Sequence, residues 1–320
     1  MESLFKFQGL AIYLQCENIL FSMLEEYLES LCKGQTQLEL NPLMLELKLV
    51  DSPPSFPADA KLEIKGPLVN IYSCKGKGIF FAAEEGSIIY LNIEERKATG
   101  FITKNILNIL IELLSLVGGP LTEMLKAEGF YFLHAAALSI NNTGFLFTGD
   151  GGCGKTTTAL SLLSKGYKYV SDDSLVFRDI DGEIIVYPLY RTFNLDQDLC
   201  DRFHEILRDD DLIIPEGMKL SVEVSDIFPG SFIQNLKPDF IIFPKITSDK
   251  NSRLSTLSQM EIYKRLLSQI ILAVDQDTAK LQLEVLGKLV RQISGFELLS
   301  GKDIYEEPGK VYTLISTTIH

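Results

Sequence analysis

The stretch from Gly144 to Arg178, GFLFTGDGGCGKTTTALSLLSKGYKYVSDDSLVFR, constrains this chain more than any other. Phe145-Leu146-Phe147 is a short apolar run that predicts a buried strand. Gly149, Asp150, Gly151, Gly152, Cys153, Gly154, Lys155 and Thr156 then fit the pattern G-x-x-x-x-G-K-[ST] at every fixed position, and Thr157 carries the run onward. Glycines at those places let the backbone turn tightly and aim successive N–H groups at phosphate oxygens. Lys155 can set a point charge on the β- and γ-phosphates of a nucleotide. The Thr156 hydroxyl can complete the shell of a magnesium ion that keeps several waters.

A helix is predicted next, with Thr156, Ala159, Leu160, Leu162 and Leu163 on its apolar face and Gly166 at its end. Its positive N-terminus would lie under the phosphates. Tyr167 to Val170 predicts a strand that delivers Asp172 and Asp173 to its end. Adjacent carboxylates there suit one metal ligand and one base for a hydroxyl nucleophile. The sequence leaves open which is which, and taken alone the pair reads equally as a solvated turn or a helix cap.

The motif order resembles that of the HPr kinase/phosphorylase family and its related serine kinases, whose catalytic domain is similar to phosphoenolpyruvate carboxykinase. This chain has His134, then GDGGCGKTTTAL from Gly149, then KGYKYVSDD from Lys165. The resemblance is close from His134 to Arg178, looser over the residues that follow, and does not extend to residues 1–125. It implies transfer of the ATP γ-phosphoryl group to a serine hydroxyl, with magnesium held by Thr156, Asp172 and Asp173. It also gives His134 a role at the site, as a hydrogen-bond partner of a phosphate or of one aspartate. A lone histidine beside Ala135-Ala136-Ala137 otherwise reads as a satisfied core residue.

The related kinases carry a proline-and-arginine segment after their second strand pair, and Tyr187-Pro188-Leu189-Tyr190-Arg191-Thr192 stands there in this chain. Arg191 is therefore a candidate to neutralise charge on the transferring group, or else a surface arginine paired with Asp196. The chain lacks the longer glycine-containing signature of the HPr kinases proper. The resemblance thus implies a serine hydroxyl without implying HPr itself or the phosphorylase back-reaction.

Other features bound the class. The chain has 320 residues, 46% of them hydrophobic, enough for a large core or two domains. A formal net charge of -13 argues against nucleic acid or an anionic membrane as partner. Five scattered cysteines without a C-x-x-C pair suit free thiols in a reducing cytoplasm. Three histidines make a zinc site a poor expectation. The apolar run from Ile106 to Val117 stops at Gly118-Gly119-Pro120, too short to span a bilayer. No basic start marks a signal peptide.

Read in order, Leu4 to Leu14 predicts a strand and Asn18 to Leu31 a helix. Asp51 to Asp59 predicts a proline-rich loop, and the short runs between Leu62 and Thr103 an antiparallel meander. Asn105 to Leu116 and Leu121 to Glu128 predict two helices. His134 to Ile140 and Gly144 to Thr148 flank Asn141-Asn142-Thr143, a connection that only antiparallel neighbours can use. That hairpin argues for a mixed sheet. Strand pairs at Leu175 to Arg178 and Ile184 to Tyr187, a helix from Leu195 to Leu207 and a solvated acidic run at Asp209 to Asp211 follow. A strand at Asp239 to Phe243, a helix opened by the capping box Ser258 to Glu261, a helix from about Thr278 to Ser294, and terminal strands at Phe296 to Leu299 and Val311 to Ile315 complete the expectation.

The expected fold is α/β. A mixed-sheet P-loop kinase domain of the HPr kinase and phosphoenolpyruvate carboxykinase-like type spans 104–320. A smaller α+β accessory domain spans 1–103 and serves recognition or assembly. The catalytic candidates are Lys155, Asp172, Asp173, His134 and Arg191. Expected partners are ATP, magnesium and a serine-containing protein or peptide, or free serine, with self-association left open. Hydrolysis of a nucleoside triphosphate, or nucleotide-dependent binding with a structural aspartate pair, are the competing readings.

Overall fold

The computed structural model describes residues 1–32, 41–74, 78–203, 214, 218–307 and 309–319. The chain forms two compact units, one of Met1–Gly129 with Ala273–Ala279 and one of Phe130–Leu272 with Lys280–His320. The boundary drawn from sequence at 103/104 falls inside the first unit, because the long helix that follows it packs on that unit's sheet.

The first unit is an eight-stranded sheet with two helices. Its strands are β1 (Glu2–Phe7), β2 (Leu10–Gln15), β3 (Leu43–Val50), β4 (Lys61–Ile64), β5 (Val69–Cys74), β6 (Gly78–Ala83), β7 (Ile88–Asn92) and β8 (Lys97–Thr103). They lie in the order β1-β2-β3-β8-β7-β6-β5-β4. The strands β4 to β8 form the antiparallel meander, while β3 runs parallel to both β2 and β8. The single strand expected over Leu4–Leu14 is a hairpin instead. Gln8 and Gly9 turn the chain with φ of 47° and 94°, a cost that propensity averages do not see.

The helices are α1 (Asn18–Leu31) and α2 (Leu110–Ala127), the latter entered through a 3-10 turn at Lys104–Asn108. Where two helices were expected, α2 is one, running through Gly118-Gly119-Pro120. The two glycines act as contact points here. A Cβ on Gly119 would lie 2.7 Å from the ring of Phe81, and one on Gly118 would lie 2.7 Å from the Tyr27 hydroxyl. Burial against the sheet outweighs the few kcal/mol, about 3 for proline and about 1 per glycine, that these residues cost a helix. Near the end of α2, Glu123 and Lys126 form a buried ion pair at 2.6 Å, and Glu123 also accepts the Val274 N–H at 2.9 Å. This is how 273–279 is held in the first unit.

The second unit holds the glycine-rich loop. Its strands are β9 (Tyr131–Leu133), β10 (Ala135–Ile140), β11 (Thr143–Thr148), β12 (Lys168–Ser171), β13 (Leu175–Ile180), β14 (Glu183–Pro188), β15 (Thr192–Leu195), β16 (Leu220–Glu223), β17 (Phe240–Ile246), β18 (Arg253–Leu257) and β19 (Ser294–Ser300). Its helices are α3 (Lys155–Leu163), α4 (Gln197–Arg202), α5 (Val224–Ile227), α6 (Gln259–Leu267), α7 (Gln276–Gln292), α8 (Lys302–Glu306) and α9 (Lys310–Ile319), the first turn of α7 lying in the first unit. The main sheet has the order β12-β10-β11-β17-β19-β18 and a smaller one the order β14-β13-β9. The pair β10–β11 is antiparallel across Asn141 and Asn142, whose φ of 50° and 64° make the tight turn, whereas β11–β17 and β17–β19 are parallel. The sheet is mixed.

Both faces of this sheet are buried. Ala136, Leu138, Phe145 and Phe147 join one core with α3 and α9, while Ala135, Ala137 and Leu146 join another with α6 and α7. Burial on two faces explains why these strands read as continuous apolar runs. Val311 to Ile315, expected as a strand, is helical, because Val311 and Ile315 stand one turn apart and are both fully buried in the core that contains α3. The β-branched residues follow the helical spacing, and tertiary packing overrides their propensity. The expected helix at Leu195–Leu207 is described only as α4, capped by the Asp196 side chain, and Asp209 to Asp211 lie outside the described residues. All five cysteines are free. Among the described residues no helix is long and apolar enough to cross a membrane.

Gly119→Ala tests the account of α2. Helix propensity alone would favour alanine by about 1 kcal/mol, but the fully buried Phe81 ring leaves no room for the methyl. We expect a net loss of about 1–3 kcal/mol by denaturant unfolding. A gain in stability would show that the contact with Phe81 yields.

Candidate active site

The site is set by two places where the chain leaves one sheet for another. β9 pairs with β13 in the small sheet and β10 with β12 in the main sheet, so the chain crosses over at His134. Opposite it, β12 belongs to the main sheet and β13 to the small one, so the chain crosses over at Asp172-Asp173-Ser174. The register, Leu133 with Leu175 and Ala137 with Ser171, places these crossings face to face. β11 ends beside them, with Thr148 paired to Ala135, and hands the chain to Gly149. The His134 backbone is held on both sides. Its carbonyl accepts from the Thr148 hydroxyl at 2.6 Å and its N–H donates to the Gln269 carbonyl at 3.0 Å.

The loop after β11 turns on glycines with φ of 149° at Gly149, 77° at Gly152 and 100° at Gly154, a region that L side chains rarely enter. Lys155 opens α3. Its ammonium is largely buried and donates to the carbonyls of Gly149 at 2.8 Å and Asp150 at 3.2 Å. Cys153 lines the same turn, 3.2 Å from where a Cβ on Gly149 would stand, and burial pushes its thiol above the ordinary range. Gly151, Gly152 and Thr157 lie on the same turn and helix start.

The two aspartates have different surroundings. Asp172 is 2% exposed. One of its carboxylate oxygens accepts from the Thr156 hydroxyl at 3.1 Å, and the other is buried with no hydrogen-bond partner among the described residues. Burial pushes its pKa up to about 7, with the Asp173 charge adding to the rise. The Thr156 hydrogen bond and the charges of Lys155 and Lys219 act the other way. Asp173 is half exposed, and its carboxylate lies 3.3 Å from His134 Nδ1.

The structure therefore brings together Lys155, Thr156, Asp172, Asp173, His134 and the loop from Gly149 to Gly154. It does not bring Arg191 to them through any interaction it records. The Arg191 guanidinium lies 4.5 Å over the Phe232 ring. It does not pair with Asp196 either, whose carboxylate accepts the Leu199 N–H. One residue escaped sequence reasoning as a neighbour of the site. Gln269 reaches both His134 and Asp150. No motif marks it, because it joins the site from a distant part of the chain. Lys219 is exposed and bears on Asp172 through its charge.

The comparisons agree with this geometry in extent. The profile described as HPr Serine kinase C-terminal domain matches residues 128–191, which contain all of these groups except Gln269 and Lys219. The likeness to HPr kinases lies in this segment. An HPr kinase/phosphorylase of Clostridium beijerinckii is 42% identical over 53 residues, 17% of this chain and 18% of that relative. The HPr kinase/phosphorylase of Clostridium tetani is 37% identical over 60 residues, 19% of this chain and 20% of that relative. The match thus spans about a fifth of the length of these curated relatives. The solved Hpr(Ser) kinase/phosphatase from Coxiella burnetii aligns with 58% of this chain and 94% of its own at 14% identity and a TM-score of 0.31, a level that carries no argument about the fold.

Asp172 makes stability depend on pH. Its folded pKa lies above its ordinary value, so the folded state keeps the proton longer than the unfolded chain, and stability falls as pH rises from about 4 to about 7. Asp172→Asn removes that loss. In magnesium-free buffer the variant should be more stable than the parent at pH 8, on the order of a few kcal/mol, and nearly equal to it at pH 4. Thermal unfolding across that range checks this, and a difference that shrinks with rising pH would refute it.

Proposed function

We propose that this chain is an ATP-dependent kinase that transfers the γ-phosphoryl group to a hydroxyl, that of a serine in a protein or peptide or of free serine. The observation that carries the reading is the unequal setting of the two aspartates beside the glycine-rich loop. Asp172 is sealed in and hydrogen-bonded to Thr156. Asp173 is open to solvent and faces His134. An acceptor hydroxyl can reach only the second.

The residues fit magnesium. The orphaned, buried Asp172 oxygen and the Thr156 hydroxyl form an all-oxygen set next to the loop, as a hard cation prefers. When bound, the ion neutralises charge on the β- and γ-phosphates. Lys155 exchanges its bonds to the loop carbonyls for the phosphates, and the loop N–H groups hold the remaining oxygens. Asp173 orients the acceptor hydroxyl and takes its proton as the new oxygen–phosphorus bond forms and the bond to ADP breaks. His134 fixes the Asp173 carboxylate for that step. Phosphoryl transfer asks mainly for orientation and charge stabilisation, which a positioned carboxylate supplies. Arg191 joins the site in this reading only if it leaves Phe232.

The relatives' names specify HPr as the protein substrate. The matched segment ends at residue 191, and we assign the choice of acceptor to parts of this chain outside it. We assign recognition or assembly to the region before the catalytic one, drawn from sequence as 1–103 and 104–320, and a cytoplasmic setting to the whole. The exposure of Asp173 also admits water, which makes nucleotide hydrolysis the second reading.

An assay with γ-labelled ATP and magnesium separates these. Label should appear on a serine hydroxyl of an acceptor protein, a peptide or free serine. Asp173→Asn should lower kcat by about 10²- to 10⁴-fold with nucleotide affinity retained. Lys155→Ala should abolish transfer while the fold survives. Label found only as inorganic phosphate would favour the hydrolase, and full transfer by Lys155→Ala would sink the phosphate-loop reading.

A further inference from the structure

Gln269 lies two residues beyond the end of α6, and it is fixed before its side chain is considered. Its N–H donates to the Leu266 carbonyl at 2.9 Å and its carbonyl accepts the His134 N–H at 3.0 Å. Two residues on, the Ile271 carbonyl accepts from the buried Gln282 side chain at 3.1 Å. From this anchored backbone the Gln269 amide donates to the Asp150 carboxylate at 3.4 Å and to the Ser268 hydroxyl at 3.1 Å.

Asp150 stands at an awkward place for an acid. It is the first residue after Gly149 in the loop, and its own carbonyl accepts from Lys155 Nζ and from the Cys153 N–H. The neighbouring loop N–H groups are the ones a phosphate would use. Short acidic side chains readily bond backbone N–H groups a few residues away, so an untethered Asp150 could occupy them itself. Its charge also repels an incoming phosphate at short range. The Gln269 amide offers that carboxylate a partner outside the loop.

We infer that Gln269 is a positioning residue that holds the Asp150 carboxylate out of the phosphate cradle. This rests on the proposed nucleotide reading, and it adds to it a residue outside the matched segment that sets nucleotide affinity. One glutamine thereby fixes two features, the loop through its side chain and His134 through its backbone. Substituting the side chain disturbs only the first.

The test measures binding of ADP with magnesium by calorimetry, and KM and kcat for ATP, on the full chain. Gln269→Ala should weaken ADP binding and raise KM about tenfold, with kcat within about twofold. Gln269→Glu sets two carboxylates together and should weaken binding further. The double variant Q269E/D150N restores a donor–acceptor pair with the roles exchanged, and should return to within about threefold of wild type. A merely structural role would lower the thermal midpoint in both Gln269 variants and would not be rescued by exchange. Independent, additive effects of the two substitutions would overturn the inference. So would ADP binding by Gln269→Ala equal to that of wild type. Wild type that binds no nucleotide overturns both this inference and the reading beneath it, whereas wild type that binds while the variants bind equally overturns the tether alone.

Discussion

Backbone hydrogen bonding between sheets decides where the site lies. A strand cannot leave a sheet without orphaning its N–H and C=O groups unless other partners take them up. In this chain two strands leave at one level, at His134 and at Asp172-Asp173. The N–H and C=O freed at His134 find the Gln269 carbonyl and the Thr148 hydroxyl. Side chains at such crossings point away from any ladder, and they meet. The pairing of His134 with Asp173 is a consequence of register before it is a consequence of charge.

The electrostatics follow from depth. Asp172 and Lys155 are both drawn inside, and each is left with a different deficit. Lys155 satisfies its ammonium on loop carbonyls, so its charge remains available to a stronger partner. Asp172 satisfies one oxygen on Thr156 and leaves the other without a partner among the described residues. A buried polar atom without a partner costs about 1–3 kcal/mol. A cation placed there would remove that cost and bring the carboxylate back toward its ordinary acidity. Depth therefore leaves Asp172 with an unmet need for a partner, while the shallower Asp173 stays close to solvent.

Local chemistry was legible in the sequence, and distant pairing was not. The glycines of the loop, the turn at Asn141-Asn142 and the capping box at Ser258 depend on residues a few positions apart, so pattern alone located them. The mixed sheet was legible because a hairpin so short admits one geometry. Where the reading failed, a remote partner had decided the matter. Phe81 and Tyr27 turned Gly118-Gly119 from a stop into a seam. The core around α3 made a helix of Val311 to Ile315. Gln269 touches a residue 119 positions away and carries no signature. The hairpin set His134 at the loop end of its strand, but a role for it there came only through resemblance, since an isolated histidine before three alanines says little by itself.

The hairpin between β10 and β11 has a further meaning for how variable the chain can be. The strands β10, β11 and β12, with α3 among them, follow one another through short connections, so little loop-closure entropy is spent in assembling the loop, the lysine and the aspartates. The parallel partners β17 and β19 close over much longer stretches and hold none of those groups. Replacement of residues in these distant strands therefore alters how firmly the frame is held, while the loop, the lysine and the aspartates keep their spacing to one another. A chain built this way can diverge widely outside one short segment and still present the same arrangement of loop, lysine and aspartates.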